Sequence, residues 1–349
     1  MGKHIVFVGA GAVGGYVGAH LARAGEDIAL VDPWPEHVDA INRDGMRLGG
    51  SQGDHVVRVK AMHLNEVQSF MRKPIDIAII CTKSYDTEWA AMMIKQYLKP
   101  QGFIVSMQNG LNEERIASVA GWGKTVGCII STISVNCYKA GHISRYQQPG
   151  GDHHKVFRVG EVHGRVTARA TELANILNAV DSANVTQNLW GERWTKLTAN
   201  TITHGLLGAT GLDNRCVYVE RGTAYRIGVK LAAEAIAVGR AQGYELGTVL
   251  GIKPDDWLGA DRGDAAAVKA VQDGLTAWMA TLLEPSQSSV GRDVARGRRS
   301  EIDFTNGLVA EKGAEVGVPA PTHAAVTSLV RRIDRGDLKQ DPAHMSSII

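Results

Sequence analysis

His4-Ile5-Val6-Phe7-Val8-Gly9-Ala10-Gly11-Ala12-Val13-Gly14-Gly15-Tyr16-Val17 decides how the first half of the chain folds. His4 to Val8 is a short β-branched run that stops at Gly9, and from Val13 the apolar residues Val13, Val17 and Leu21 recur at helical spacing, so the stretch predicts strand, turn and helix. Gly9, Gly11 and Gly14 fit G-x-G-x-x-G in that context. The first glycine permits the tight turn, the second lets a pyrophosphate approach the backbone of Gly9, Ala10, Gly11, Ala12, Val13 and Gly14, and the third lets helix and strand pack closely. The helix N-terminus then faces the anion. A glycine-rich turn without a ligand is the alternative for the motif taken alone.

Outward from the turn, Asp27 to Val31 predicts a second strand ending at Asp32, with Pro33 and Pro35 announcing a helix that carries Val38 and Ile41. Asp32 stands 18 residues beyond Gly14 (32 − 14), where a carboxylate hydrogen-bonds the adenosine ribose and repels a 2′-phosphate. No Lys or Arg lies between Arg23 and Arg43, so the expected cofactor is NAD(H) in preference to NADP(H). The competing role for Asp32 is a helix cap beside Pro33. Strand and helix patterns alternate through Ile75–Cys81, Thr87–Leu98, Phe103–Met107 and Glu113–Val119, which implies a parallel sheet covered on both faces. Thr125–Val135, His142–Tyr146 and Val156–Gly160 are β-like and are expected to extend that sheet, partly antiparallel.

After Asn188 helical periodicity takes over, in Trp190–Leu207, Thr223–Ala241, Ala265–Leu283, Ile302–Val316 and His323–Ile333. The expected organisation is α/β, with a dinucleotide-binding domain at 1–187, a helical substrate and catalytic domain at 188–338, and a flexible tail at 339–349. Gly247 to Asp264, rich in Gly, Pro and Asp, is expected to be a long surface connection or an insertion.

In 349 residues, 38 basic side chains against 36 acidic ones leave +2, too balanced for charge-driven nucleic-acid binding. Cys81, Cys128, Cys137 and Cys216 form no C-x-x-C pair and predict reduced thiols in a cytoplasmic protein. The uncharged stretch from Ile5 to Ala22 is broken by five glycines and followed by acidic residues, so no membrane segment is expected. His153 and His154, with Asp152 and His163, lack metal-ligand spacing and predict a loop, not a metal site.

Lys196, Asn200 and His204 lie at i, i+4 and i+8 of the first helix of the second half, about 6 Å apart along its axis. A desolvated lysine can protonate a ketone oxygen or serve as base in reverse, and an asparagine can hydrogen-bond a carbonyl or hydroxyl. Alone, the same stripe also fits an ordinary solvated face. Trp190 and Trp194, flanking the lysine, are expected to pack against the sheet domain.

Five blocks, in order, resemble the ketopantoate reductase family: the Gly9 to Gly14 turn, Cys81-Thr82-Lys83-Ser84-Tyr85, Gln108-Asn109-Gly110-Leu111, the Lys196 helix, and Ser288-Ser289 with Asp293, Arg298, Arg299, Glu301, Ile302 and Asp303. The resemblance implies a Rossmann domain joined to a helical domain, with the active site in the cleft between them. It implies Lys196 as general acid and Glu301 as its positioning partner near the cofactor ribose. Asn109 would lie beside nicotinamide and substrate, Lys83 near the cofactor, and Asn200 and Ser289 on the substrate. His204 stands where the family has an asparagine, so it either contacts a different or bulkier oxoacid or packs within the bundle. The implied activity interconverts a 2-oxoacid and its 2-hydroxyacid, foremost 2-dehydropantoate and pantoate. The alternatives are an NAD-dependent dehydrogenase of the same family for an aromatic or catabolic substrate, and a non-catalytic NAD(H) sensor. A homodimer is left open, and the extra length at Arg145–Val156 and 247–264 is expected to border the cleft.

Overall fold

The computed structural model describes residues 2–151, 153–218, 222–281 and 287–349. The chain divides into two compact units, Met1–Leu189 and Trp190–Ile349.

In the first unit the strands are β1 (His4–Val8), β2 (Asp27–Val31), β3 (Met46–Gly50), β4 (His55–Val57), β5 (Lys60–Met62), β6 (Ile75–Ile80), β7 (Leu98–Ser106), β8 (Thr125–Ile130), β9 (Val135–Lys139), β10 (His142–Arg145), β11 (Phe157–Glu161) and β12 (Ala183–Thr186). The helices are α1 (Ala12–Arg23), α2 (Pro35–Asp44), α3 (Thr87–Lys95), α4 (Glu113–Ala120) and α5 (Ala168–Leu177). The main sheet has eight strands in the order β12-β11-β8-β7-β6-β1-β2-β5. From β5 to β8 every pairing is parallel; β11 joins β8 antiparallel. Numbered among themselves, the six parallel strands run 3-2-1-4-5-6, and their order reverses between β1 and β6. Ligands of open α/β sheets bind at the carboxyl ends of the strands at such a reversal.

β1 explains why the sheet is covered on both faces. All five residues are buried; Ile5 and Phe7 join the core containing Val17 and Leu21 of α1, while Val6 and Val8 join the core containing Ile94 of α3 and Ile116 of α4. Successive side chains of a strand point to opposite faces, so an uninterrupted apolar run is what a doubly covered strand requires.

The expectation that His142–Tyr146 extends the main sheet is corrected. There β10 joins β9, β3 and β4 in a separate four-stranded sheet in the order β4-β3-β10-β9. β10 pairs in parallel with β3, Ile143 opposite Leu48, and both side chains are buried in the core that α1 covers. The segment beyond β10 is fixed within the first unit. Arg145 forms a buried ion pair with Asp181 at 2.6 Å, and the Gly150 N–H donates to the same carboxylate at 3.0 Å. Burial opposes ionisation of Asp181, but the Ser182 N–H and the Arg145 guanidinium outweigh it and hold the carboxyl below its usual range.

The second unit is helical: α6 (Leu189–Thr210), α7 (Thr223–Ala241), α8 (Pro254–Asp261), α9 (Ala265–Ala280), α10 (Ser289–Ala295), α11 (Asn306–Glu315) and α12 (Pro321–Asp334). Leu283, expected to end the fourth of these, lies outside the described residues. Three expectations are corrected here. Gly247 to Asp264 is not a surface connection: it contains α8, whose Trp257 is fully buried and donates to the Val249 carbonyl at 3.2 Å. Trp194 packs within its own unit, donating to the Ala235 carbonyl at 2.7 Å and lying against Tyr244. The tail is ordered: Gln340 donates to the Gly208 carbonyl at 3.0 Å, the Asp341 N–H to the Ala209 carbonyl at 3.1 Å, and Ile348 is buried beside Leu206 and Val330. These contacts cover carbonyls in the last turn of α6, which a helix cannot satisfy internally. No helix among the described residues is long and apolar enough to cross a membrane.

Candidate active site

Each glycine of the turn between β1 and α1 has a distinct physical demand. Gly9 has φ +97°, a conformation L side chains rarely adopt, and a Cβ there would sit 3.0 Å from the Cys81 backbone beyond β6. A Cβ at Gly14 would fall 2.0 Å from the Gly9 carbonyl and 2.9 Å from the Cys81 side chain, so helix and strand meet only because the side chain is missing. At Gly11 a Cβ would meet nothing within 4 Å. That position faces open space. The first intrahelical bond is made by the Gly15 N–H to the Gly11 carbonyl at 2.8 Å, which leaves the N–H groups of Ala12, Val13 and Gly14 ahead of the ladder. Among the described residues no side chain caps them. An uncapped helix N-terminus beside an open glycine suits a pyrophosphate, so the residues present fit a dinucleotide.

Two buried side chains fix the peptide of Ala10. Asp32 accepts from the Ala10 N–H at 2.7 Å and, through its other oxygen, from the Trp34 N–H at 2.9 Å. His37, fully buried on α2, donates from Nε2 to the Ala10 carbonyl at 2.9 Å, its tautomer set by the Gly141 N–H donating to Nδ1 at 2.9 Å. His37 is a site residue that the sequence did not single out; its only mark there is its place one turn into the predicted helix after Pro35.

Next to the turn, the loops after β6 and β7 are tied together. Ser84 donates to the Asn109 carbonyl at 3.2 Å, Asn112 donates to the same carbonyl at 2.7 Å, and Gln108 donates to the Thr82 carbonyl and the Thr87 hydroxyl, each at 2.9 Å. Lys83 and Asn109 are thus half-buried neighbours on two joined loops at the carboxyl ends of β6 and β7. Thr87 and Asn112, which make the joint, are further residues missed in the sequence.

In the second unit Lys196, Asn200 and His204 are all half-buried along α6. The Asn200 side-chain amide makes no hydrogen bond among the described residues. At the far end of the row Ser289 Oγ lies 3.5 Å from His204 Nδ1, while Ser288 caps α10 by accepting from the Gly291 N–H at 3.0 Å and donates to the His204 carbonyl. Ser288 therefore has the capping role and Ser289 the neighbour of the row. Glu301 is buried just ahead of α11, and Asn306, at the start of that helix, donates to the Thr201 carbonyl of α6 at 3.1 Å. The neighbouring Asp303 is the partner of Arg331, at 2.6 Å. Of the histidine group first considered for metal, Asp152 lies outside the described residues, and His163 accepts from the Arg165 N–H at 3.2 Å.

Two family models match, Ketopantoate reductase PanE/ApbA over residues 5–154 and Ketopantoate reductase PanE/ApbA C terminal over residues 188–334. The chain belongs to the ketopantoate reductase family. It is similar to the 2-dehydropantoate 2-reductase of Archaeoglobus fulgidus, 26% identical over 336 residues that cover 96% of this chain and 99% of that one. A PanE/ApbA family ketopantoate reductase from Ralstonia eutropha JMP134 has a similar structure, with a TM-score of 0.74 and 28% identity over 95% of this chain and 99% of that one. D-mandelate dehydrogenase, solved with NADH and anilino(oxo)acetate, shares the fold at TM-score 0.78 with 19% identity, covering 95% and 99%. The chain is accordingly an oxidoreductase acting on a CH–OH group, with a mixed α/β first unit and a helical second one.

Membership corrects the cofactor expectation. Ketopantoate reductases homologous to this chain use NADPH, which overturns the preference for NAD(H) drawn from Asp32. The physical reason is visible in the structure: both carboxylate oxygens of Asp32 are engaged by backbone N–H groups, that of Ala10 in the glycine turn and that of Trp34 after β2. The residue braces the turn and does not cap α2, whose N-cap is Trp34 with no side-chain cap hydrogen bond, and its charge does not report the cofactor.

Proposed function

We propose that the chain is a 2-dehydropantoate 2-reductase, reducing the C2 ketone to the hydroxyl of pantoate. Bound NADPH would supply the hydride to C2. The proton for the oxygen would come from the Lys196 ammonium, held by Glu301, so that charge developing on oxygen is neutralised as it forms. Asn200, whose amide makes no hydrogen bond among the described residues, would hydrogen-bond the substrate, with Ser289 and His204 completing its contacts along α6. On the first unit the backbone from Gly11 to Gly14 would hold the pyrophosphate, with Lys83 and Asn109 on the two joined loops serving the cofactor and, for Asn109, the substrate.

The observation that carries this reading is the row of Lys196 and Asn200, half-buried on one face of α6 in a chain whose two halves both match the family. The test is initial-rate oxidation of NADPH against 2-dehydropantoate and a panel of aliphatic and aromatic 2-oxoacids. Lys196→Ala is expected to lose about 10²- to 10⁴-fold in kcat, the range for a positioned proton donor, while retaining NADPH affinity. Undiminished turnover in that variant removes Lys196 from the chemistry. A bulkier 2-oxoacid is a second reading, favoured by the imidazole of His204 beside Ser289; faster turnover of such a substrate than of 2-dehydropantoate would establish it.

A further inference from the structure

Trp34 is an aromatic side chain tied to the phosphate-binding turn through Asp32, which accepts from both the Ala10 and the Trp34 N–H groups. Its side chain is exposed, at 39% of its full accessible surface, while the residues around it are fixed. The backbone N–H is held by Asp32, Pro35 follows at the start of α2, and one face of the indole lies parallel to the buried His37 ring, at 5.1 Å between centroids and 7° between planes. His37 is itself locked by the Ala10 carbonyl and the Gly141 N–H. An exposed indole held rigid from behind has already lost its conformational freedom, so a flat partner stacking on it would pay little further ordering entropy.

The position says which flat partner. In this strand order the pyrophosphate sits at the turn after β1 and the adenosine ribose at the end of β2. Trp34 is three residues past that end (34 − 31). We propose that Trp34 is the stacking platform for the adenine ring of the dinucleotide, with His37 as the ring that sets its plane. This rests on the cofactor part of the function proposed above. Stacking is tolerant of base identity but needs an aromatic face, so phenylalanine should replace tryptophan and alanine should not.

The experiment is calorimetric titration of the full chain with NADPH and with 2′-phospho-ADP-ribose, which carries the adenine but no nicotinamide. Trp34→Ala is expected to weaken both ligands by about tenfold, within the range for loss of one base–aromatic stack. Trp34→Phe is expected to recover most of that loss, and both variants to keep the wild-type melting temperature, since the side chain lies at the surface. In the wild type, 2′-phospho-ADP-ribose should quench tryptophan emission, and Trp34→Phe should remove that quenching. Equal affinity of wild type and Trp34→Ala, or equal losses in the alanine and phenylalanine variants, overturns the proposal. If the wild type binds neither ligand, the proposal falls together with the cofactor assignment beneath it, a result distinct from a wild type that binds and a variant that binds equally well.

Discussion

Alanine at Gly11 and alanine at Gly14 add the same methyl group three residues apart and should have opposite effects. At Gly14 the new carbon lands 2.0 Å from the Gly9 carbonyl oxygen, a backbone atom that cannot swing aside, and 2.9 Å from Cys81. Overpacking of this kind costs about 1–3 kcal/mol, and the backbone clash puts this case near the upper end. For a unit of this size each kcal/mol lowers the melting temperature by about 2–4 °C, so Gly14→Ala should melt roughly 6–12 °C below the wild type. At Gly11 the methyl meets nothing within 4 Å, and the local φ of −64° suits an L residue. There the loss of glycine's freedom in the unfolded chain favours the variant by about 0.4–1 kcal/mol. Its melting temperature should stay level or rise slightly, while the methyl occupies the closest approach of the pyrophosphate and NADPH affinity falls by about tenfold or more. Thermal melts by circular dichroism, paired with NADPH titration, read both quantities. A Gly14→Ala protein with wild-type stability, or a Gly11→Ala protein that binds NADPH normally, would refute the division of labour among the glycines.

Asp32→Ala should leave the N–H groups of Ala10 and Trp34 without acceptors, at about 1–3 kcal/mol each where buried, and raise the KM for NADPH and NADH together; a changed ratio between the two would show that the carboxylate does more than hold the turn. Truncation after residue 338 uncovers carbonyls at the end of α6 and removes Ile348 from its core, so the second unit should lose stability in urea unfolding, and an unchanged midpoint would mean the tail contributes nothing. His323 is fully buried, donates from Nε2 to the Leu231 carbonyl, and is pushed by burial to a pKa of about 4 from 6.5. The unfolded chain takes up a proton below about 6.5 that the folded one refuses until about 4, so stability is complete above the window and falls within it by about 1.4 kcal/mol per pH unit. Glu234, raised by burial, acts in the opposite sense; the difference between urea midpoints at pH 7 and pH 5 should therefore shrink in His323→Gln without vanishing, because burial also pushes His20 down to about 4, and an undiminished difference would exclude His323 as a source.

What could be seen in the sequence was local. The β1 turn was legible because three glycines, a strand and a helix period fall within twenty residues, and the α6 row because helical spacing alone puts Lys196, Asn200 and His204 on one face. What escaped depends on partners far along the chain. Asp32 looked like a ribose ligand because spacing fixes its position but not that both its oxygens face backbone N–H groups. His37 is indistinguishable from any helical histidine until Ala10 and Gly141 close around it. Composition misled at 247–264, where Gly, Pro and Asp mask a helix; Pro254 at its first turn and the apolar Trp257 were the available signals. Trp194 was assigned to the wrong neighbour because periodicity says that a face is buried and not by what.

The parallel pairing of β3 with β10 also bears on how the chain emerges during synthesis. Arg47 is matched with His142, about 95 positions later (142 − 47), and nothing between them completes the second sheet. At roughly 5–20 residues per second, the β3–β4 hairpin waits on the order of 5–20 s after leaving the ribosome before its partner strand exists. Through that interval the edge of β3 that will receive β10 is bare, and Met46 and Leu48, destined for the core, lack their cover. Translation speed across residues 50–145 thus sets how long the nascent chain presents a sticky edge to its neighbours on a polysome.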